Sequence, residues 1–302
     1  MEEKDILVTV RCVTYNHEPY IRQCLEGFIM QKTNFRFIAV VHDDASTDGT
    51  AEIVQEYANK YPNIILPILQ KENQYSKGYD IIRKILDEHT HSKYVAICEG
   101  DDYWTDPLKL QKQFNWLENH PDYSACFHQA IIHYEGSDIP DEMCGEIEDK
   151  DYTGLEIFKF NHRPPTASFF MKTSIYDCAV YKKFIESHLT FGDTPTFLAC
   201  AHEGKIRGMK DIMSVYRKHT LGVTNTFNSG TKGMLNFAND QLKIYKIFGN
   251  EYKKECIQIY VIDHINYFFI NLKKGKLYLH ILLKILFEHP VLTTHFLIER
   301  WK

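Results

Sequence analysis

The sequence lacks most of the signatures that would assign it quickly. Its 40 acids and 35 bases leave a net charge of −5, without the basic face that a nucleic-acid binder carries. The eight cysteines contain no CxxC pair, which removes the usual zinc-ribbon and thioredoxin spacings. Several of them lie in apolar runs, where a reduced thiol behaves as a small hydrophobe. The fifteen histidines contain no HExxH, so zinc is not expected, and no GxGxxG follows a strand-like run, which disfavours a dinucleotide oxidoreductase. No stretch reaches the roughly 18 uncharged apolar residues of a membrane span. The start MEEKDILVTV has no basic segment leading into an apolar one, so no signal peptide is expected. Neither an internal repeat nor a low-complexity tract is visible. These absences lead to the expectation of a reduced, cytoplasmic protein, soluble or peripheral at the inner face of a membrane, with no nucleic-acid partner.

What is present is ample apolar material, 44% of 302 residues, distributed with a clear rhythm. The β-branched run ILVTVRCV (6–13) reads as a buried strand. TYNHEP follows as a turn, and YIRQCLEGFIMQ has helical spacing. FRFIAVVH (35–42) is a second strand, DDASTDGT a polar loop, and AEIVQEYANKY a helix closed by Pro62. IILPIL, residues 77–89 and KYVAIC continue as strand, helix, strand. Such alternation predicts βαβ units and a parallel sheet, and in such sheets ligands bind beyond the carboxyl ends of the strands. Further along, 107–119 reads as helix, YSACFHQAIIHYEG as strand, SDIPDEMCGEIEDKD as an acidic loop and TASFFMK as strand. FGDTPTFLACAHEGK reads as a short helix, and IRGMKDIMSVYRKH as a strand pair or one curved strand. From about 233 the chain turns helical, which places a boundary in the loop near 220–232.

Three polar motifs stand at the predicted strand ends, after the first, second and fourth strands. In EGDDYW, Asp101 and Asp102 are oxygen donors suited to a hard divalent cation, Mg²⁺ or Mn²⁺, whose shell substrate phosphates and water would complete. The competing reading is a turn in which Asp102 or Asp106 caps the helix that starts at Pro107. In HDDASTDGT, Asp43 and Asp44 can accept hydrogen bonds from a ribose or a base N–H, while Asp48 suits a helix cap.

Taken together, VTYNHEPYIRQCLEGFIMQ, HDDASTDGTAEIV and EGDDYWTDPLKL, in that order and spacing, resemble the nucleotide-binding half of inverting family-2 glycosyltransferases with the GT-A fold. The flavour is that of the bacterial surface-polysaccharide group. The match is strong over about 6–120 and weaker over 120–220. The resemblance implies an α/β fold, a Rossmann-like, mostly parallel sheet flanked by helices, with a helical extension. Residues 1–220 would be catalytic, about 1–120 holding the nucleotide-sugar and 121–220 the acceptor, and 221–302 the helical region. It further implies a nucleotide-sugar donor, usually a UDP-sugar, and a glycan or lipid-linked acceptor. Val13, Tyr15 and Asn16 would line the base pocket, Asp44 would contact the nucleoside, and Asp101 and Asp102 would match the metal motif, Asp102 coordinating directly. The motif here is Gly-Asp-Asp rather than a spaced Asp-x-Asp. The general base should be a carboxylate later in the chain. Asp193 in FGDTPTF is the candidate, ahead of Glu203 and Asp211, although Asp193 also reads as a helix cap. Arg217, Lys218 and His219 would face the diphosphate, Lys77 and Arg83 are lesser phosphate or base contacts, and Trp104 would stack on a sugar.

Two other classes compete with transfer. A sugar nucleotidyltransferase shares the sheet and the carboxylates but should carry glycine after its first strand, and TYNHEP has none. A non-catalytic nucleotide-sugar module would tolerate loss of the acids. In the helical region, residues 277–288 form an amphipathic segment for which a membrane surface, a packed subdomain and a homodimer contact are alternatives.

Overall fold

The computed structural model describes residues 5–159, 164–220, 222 and 232–300; most of the loop expected as a boundary near 220–232 lies outside the described residues. The chain forms two compact units, Met1–Lys182 with Thr196–Lys218, and Lys183–Pro195 with His219–Lys302.

The first unit is built on one sheet. Its strands are β1 (Ile6–Thr14), β2 (Arg36–Asp43), β3 (Ile65–Leu69), β4 (Tyr94–Ile97), β5 (Tyr103–Trp104), β6 (Tyr123–Tyr134), β7 (Glu142–Met143), β8 (Asp151–Tyr152), β9 (Phe170–Lys172) and β10 (Lys205–Lys218). The spatial order is β3-β2-β1-β4-β9-β6-β10-β5, with β7 beside β6 and β8 beside β10. The half formed by β3-β2-β1-β4 is parallel, as the alternation of strands and helices requires. Beyond it β9 runs antiparallel to both β4 and β6, while β6 and β10 pair in parallel. The sheet is therefore mixed. TASFFMK yields a strand only over its last three residues, because Thr166–Ser168 closes a 3₁₀ turn with the Ser168 hydroxyl donating to the Pro165 carbonyl at 2.7 Å. The stretch 206–219 is one curved strand rather than two. Its pairing with β6 slips around Ile212, and such bulges bend the strand that carries them.

The first unit's helices are α1 (Ile21–Ile29), α2 (Thr50–Lys60), α3 (Tyr79–Asp87), α4 (Lys109–Asn119) and α5 (Gly154–Lys159), while α6 (Ala179–Glu186) and α7 (Asp193–Glu203) each divide their residues between the two units. α1 buries Ile21, Cys24, Leu25 and Phe28, the one-face spacing of an amphipathic helix. These pack on Val8, Val10 and Cys12 of β1, each large apolar side chain contributing about 1.5–3 kcal/mol by leaving water.

In the second unit α8 (Lys232–Phe248), α9 (Lys253–Lys273), α10 (Leu279–Glu288) and α11 (Pro290–Arg300) share a core of Ala238, Tyr260, Val261, Ile265 and Ile285. Among the described residues no helix is long and apolar enough to cross a membrane.

Candidate active site

The site is built where β1, β2 and β4 end. Register pairs Thr14 with Asp43 and Arg11 with Ile97, so the loops that follow these strands emerge side by side. The first two are laced together. Asn16 donates its N–H to the Ser46 hydroxyl at 2.9 Å, and its side-chain oxygen accepts the Thr47 N–H at 2.7 Å. The His17 N–H reaches the Thr50 hydroxyl at 2.8 Å, and the Glu18 carboxylate accepts the Gly49 N–H at 2.9 Å. Two residues pay for these turns in backbone strain, Asn16 at φ 56° and Ala45 at φ 62°, in a region that costs a side-chain-bearing residue about 1–2 kcal/mol. Asp48 accepts the Thr50 N–H at 3.1 Å, a local turn bond and not the expected helix cap, since the N-cap position of α2 is Gly49 and it makes no side-chain cap.

Asp44 is buried, and its two carboxylate oxygens accept the Gln74 and Tyr75 N–H groups at 2.7 and 3.0 Å. It thereby holds the short turn Tyr75–Lys77 against the end of β2. A carboxylate has about four acceptor directions, so this duty leaves room for a ligand.

The third loop carries the acids. Gly100 hydrogen-bonds through its N–H to the Val13 carbonyl at 2.9 Å, and a Cβ there would stand 2.6 Å from Thr14 Cβ; only glycine lets the turn lie so close to β1. Asp102 points inward and accepts the Arg217 backbone N–H at 2.8 Å. The Arg217 side chain folds back over the same turn. Its Nε donates to the Asp101 carbonyl at 2.9 Å, one terminal nitrogen donates to Gln23 Oε1 at 2.6 Å, and the other is paired with Glu135. The guanidinium also lies over the rings of Tyr20 and Tyr103, 4.8 and 5.1 Å from their centroids. Burial, reinforced by Asp101 and Glu99, holds the Asp102 carboxyl well above the usual range, and Arg217 offsets this only in part. Asp101, by contrast, is partly exposed, with its Oδ2 3.8 Å from His17 Nε2.

This donor set suits a divalent cation. Consecutive carboxylates, one forced toward its neutral form by burial and by its acidic neighbours, are relieved by a positive charge, and carboxylate oxygens are the ligands that Mg²⁺ and Mn²⁺ prefer.

Residues 9–187 match the family model "Glycosyl transferase family 2". The chain belongs to glycosyl transferase family 2. An uncharacterized protein of Mycobacterium tuberculosis (strain H37Rv) is 33% identical over 218 residues, which are 72% of this chain and 60% of that one. The chain thus spans about 60% of the length of such mycobacterial relatives. An uncharacterized glycosyltransferase of Methanocaldococcus jannaschii is 28% identical over 70% of each chain. Among solved structures, S. aureus TarS in complex with UDP-GlcNAc superposes with a TM-score of 0.60 at 17% identity, covering 87% of this chain and 73% of that one. The mannosyltransferase PcManGT of Pyrobaculum calidifontis, in complex with GDP-Man and Mn²⁺, gives a TM-score of 0.55 at 14% identity, over 94% and 78%. At those identities the structures speak for the fold, which is that of GT-A glycosyltransferases.

The fold assigns several expected residues to other duties. Trp104 is 2% exposed. Its Nε1–H donates to the Ala167 carbonyl at 2.9 Å, and its ring meets Phe28 edge-on, so it has no face to offer a sugar. Arg217, expected at the diphosphate, is instead the clamp of the acidic turn, because its guanidinium is buried and engaged on three sides. Arg83 is also buried and turned toward Asp87, 3.8 Å away. Asp211 is paired with Lys112 at 2.6 Å out on β10, and Glu203 pairs with His202 at 3.1 Å. Lys77 makes an exposed pair with Glu72 at 2.7 Å, a tie weak enough to exchange for a phosphate. Val13, next to last in β1, is half-buried, and Tyr15 is exposed just beyond the strand.

In the second unit, Asp193 opens α7 half-buried, and its Oδ1 accepts the adjacent Thr194 N–H at 2.7 Å. His219, buried, directly follows β10. His17, Gln23 and Glu135 were not among the expected site residues. His17 lies inside the first strand-end motif, which was the available signal; Gln23 and Glu135 gave none.

Proposed function

We propose that this chain is an inverting, cation-dependent glycosyltransferase that moves a sugar from a UDP-sugar to a hydroxyl of a glycan or lipid-linked acceptor in the cytoplasm, in the synthesis of a surface polysaccharide. The observation that carries the reading is the convergence of three strand-end loops on one edge, which brings Asp44, Asp101, Asp102 and His17 to the ends of β1, β2 and β4; in this reading Asp44 serves the nucleoside and the other three the diphosphate. Asp101 and Asp102 would hold Mn²⁺ or Mg²⁺, which would supply neutralising charge to the leaving diphosphate. Val13, Tyr15 and Asn16 border the base, Asp44 accepts from the nucleoside, and Lys77 and His219 face the phosphates. Asp193 takes the proton of the acceptor hydroxyl as its oxygen bonds to the anomeric carbon and the bond to the diphosphate breaks. An attack from the face opposite the leaving group turns an α-linked donor into a β-linked product.

Calorimetry and turnover test the division of labour. Asp102→Asn keeps an oxygen for the Arg217 N–H, yet should weaken UDP binding in Mn²⁺ about tenfold or more. Asp193→Asn should leave UDP binding intact and lower kcat at least about a hundredfold, the usual worth of a general base. Unchanged UDP affinity in the first variant removes the cation seat, and normal turnover in the second removes the base.

A further inference from the structure

The second unit carries a helix whose outward face is as apolar as its inward one. In α10, Ile281 and Ile285 are buried among Met234, Tyr267, Tyr260 and Val261. Leu279, Leu283, Leu286 and Phe287 recur at i, i+4, i+7 and i+8, one stripe on the opposite side. All four are exposed, Phe287 to 89%, and Leu277 before the helix and Val291 after it, at 84%, extend the patch. A surface helix ordinarily spends its outward face on polar groups, and a contiguous apolar patch marks a surface that meets something.

The rim identifies the partner. Lys273, Lys274, Lys276 and Lys284 are exposed, and residues 272–287 hold no acid, in a chain whose net charge is −5. Glu288 follows, and its carboxylate accepts the Tyr260 hydroxyl at 2.8 Å. A second copy on this face would set the same lysines against one another, and like charges oppose association. An anionic bilayer satisfies both features. Its headgroups meet the ammonium groups, and its acyl boundary receives the leucines and Phe287.

We propose that α10, with Leu277 and Val291, docks this chain on an anionic membrane, lying in the interfacial plane without crossing it. The docking stands independently of the transfer reaction.

The test is co-sedimentation of the full chain with phosphatidylcholine vesicles, with and without phosphatidylglycerol. Binding should be about tenfold or more stronger to the anionic vesicles and should fall with added salt. The double variant Leu283→Asp, Phe287→Asp should lose that binding, with circular dichroism unchanged and Tm little changed, because Leu283 is half exposed and Phe287 almost fully so. Should that variant fail to fold, Val291→Asp reads the same face. Lys274→Glu with Lys276→Glu should abolish the preference for phosphatidylglycerol. Absence of vesicle binding, or binding indifferent to these changes, overturns the proposal. So does a lipid-free dimer that Leu283→Asp, Phe287→Asp converts to monomer, since the face would then belong to a second copy.

Discussion

Replacing Lys109 with methionine should stabilise the protein, and should do so in a pH-dependent way. Lys109 is fully buried in α4 behind the acidic turn. Its Nζ lies 2.8 Å from Gln113 Oε1 and 4.0 Å from the centroid of the Trp104 ring. Burial lowers its pKa from the ordinary 10.5 to about 7, with Cys98 and Cys126 pulling the other way. In the unfolded chain the amine keeps its proton up to about pH 10.5, whereas in the folded chain it releases it near 7. The cost to stability is complete below pH 7 and is relieved as pH rises from 7 to 10.5. At about 1.4 kcal/mol per pH unit the cost is about 4 kcal/mol at pH 7 and about 2 kcal/mol at pH 9. Against this, methionine leaves Gln113 Oε1 without its donor, a loss of about 1–3 kcal/mol that does not vary with pH. Lys109→Met should therefore gain about 2 kcal/mol at pH 7 and close to nothing at pH 9. Urea unfolding followed by tryptophan fluorescence reads this directly, because Trp104 is the ring in contact. The decisive quantity is the change of the difference between the two proteins with pH. A gap that stays constant from pH 6.5 to 9.5 would mean that the amine titrates normally and that the reasoning is wrong.

Other predictions concern the turns. Arg217→Ala leaves Gln23 Oε1 and the Asp101 carbonyl without their donor and should cost about 1–3 kcal/mol of stability, with UDP binding in Mn²⁺ weakened as well. A variant with wild-type Tm and affinity would show that the clamp does not position the acids. Gly100→Ala forces a methyl group to within 2.6 Å of Thr14, so the turn must shift. Calorimetry should find donor affinity lowered about tenfold or more, and unchanged affinity counts against the packing argument. Ala45→Gly relieves the positive φ at the second motif and should raise stability by about 0.5–1 kcal/mol; a lowered urea midpoint refutes that account.

Much of the fold was legible because it rests on local patterns. The β-branched run of β1 and the one-face spacing of α1 announce themselves within a dozen residues. The glycosyltransferase motifs were visible for the same reason, each being contiguous. The duties of single side chains were not. Arg217 and Lys218 look alike in sequence, both basic and both at the end of a strand, yet the pairing of Val215 with Tyr103 brings Arg217 onto the acidic turn. Trp104 follows Asp102 closely enough to suggest a sugar platform, but the close approach of α1, where a Cβ on Gly27 would stand 3.0 Å from the Trp104 backbone, encloses it. His17 escaped notice because its acidic neighbour lies far along the chain.

By itself the sequence determined the family, the parallel half of the sheet and the placement of acids at strand ends, because period and turn chemistry are local. Only the tertiary structure decided which charges are spent on structure. The acidic turn of EGDDYW is held by Arg217, whose backbone N–H bonds the Asp102 carboxylate and whose guanidinium bonds the Asp101 carbonyl, brought there by β10 from far along the chain. Whether a side chain faces a ligand or a neighbour depends on strands meeting across the sheet, and that pairing is not written in any one segment.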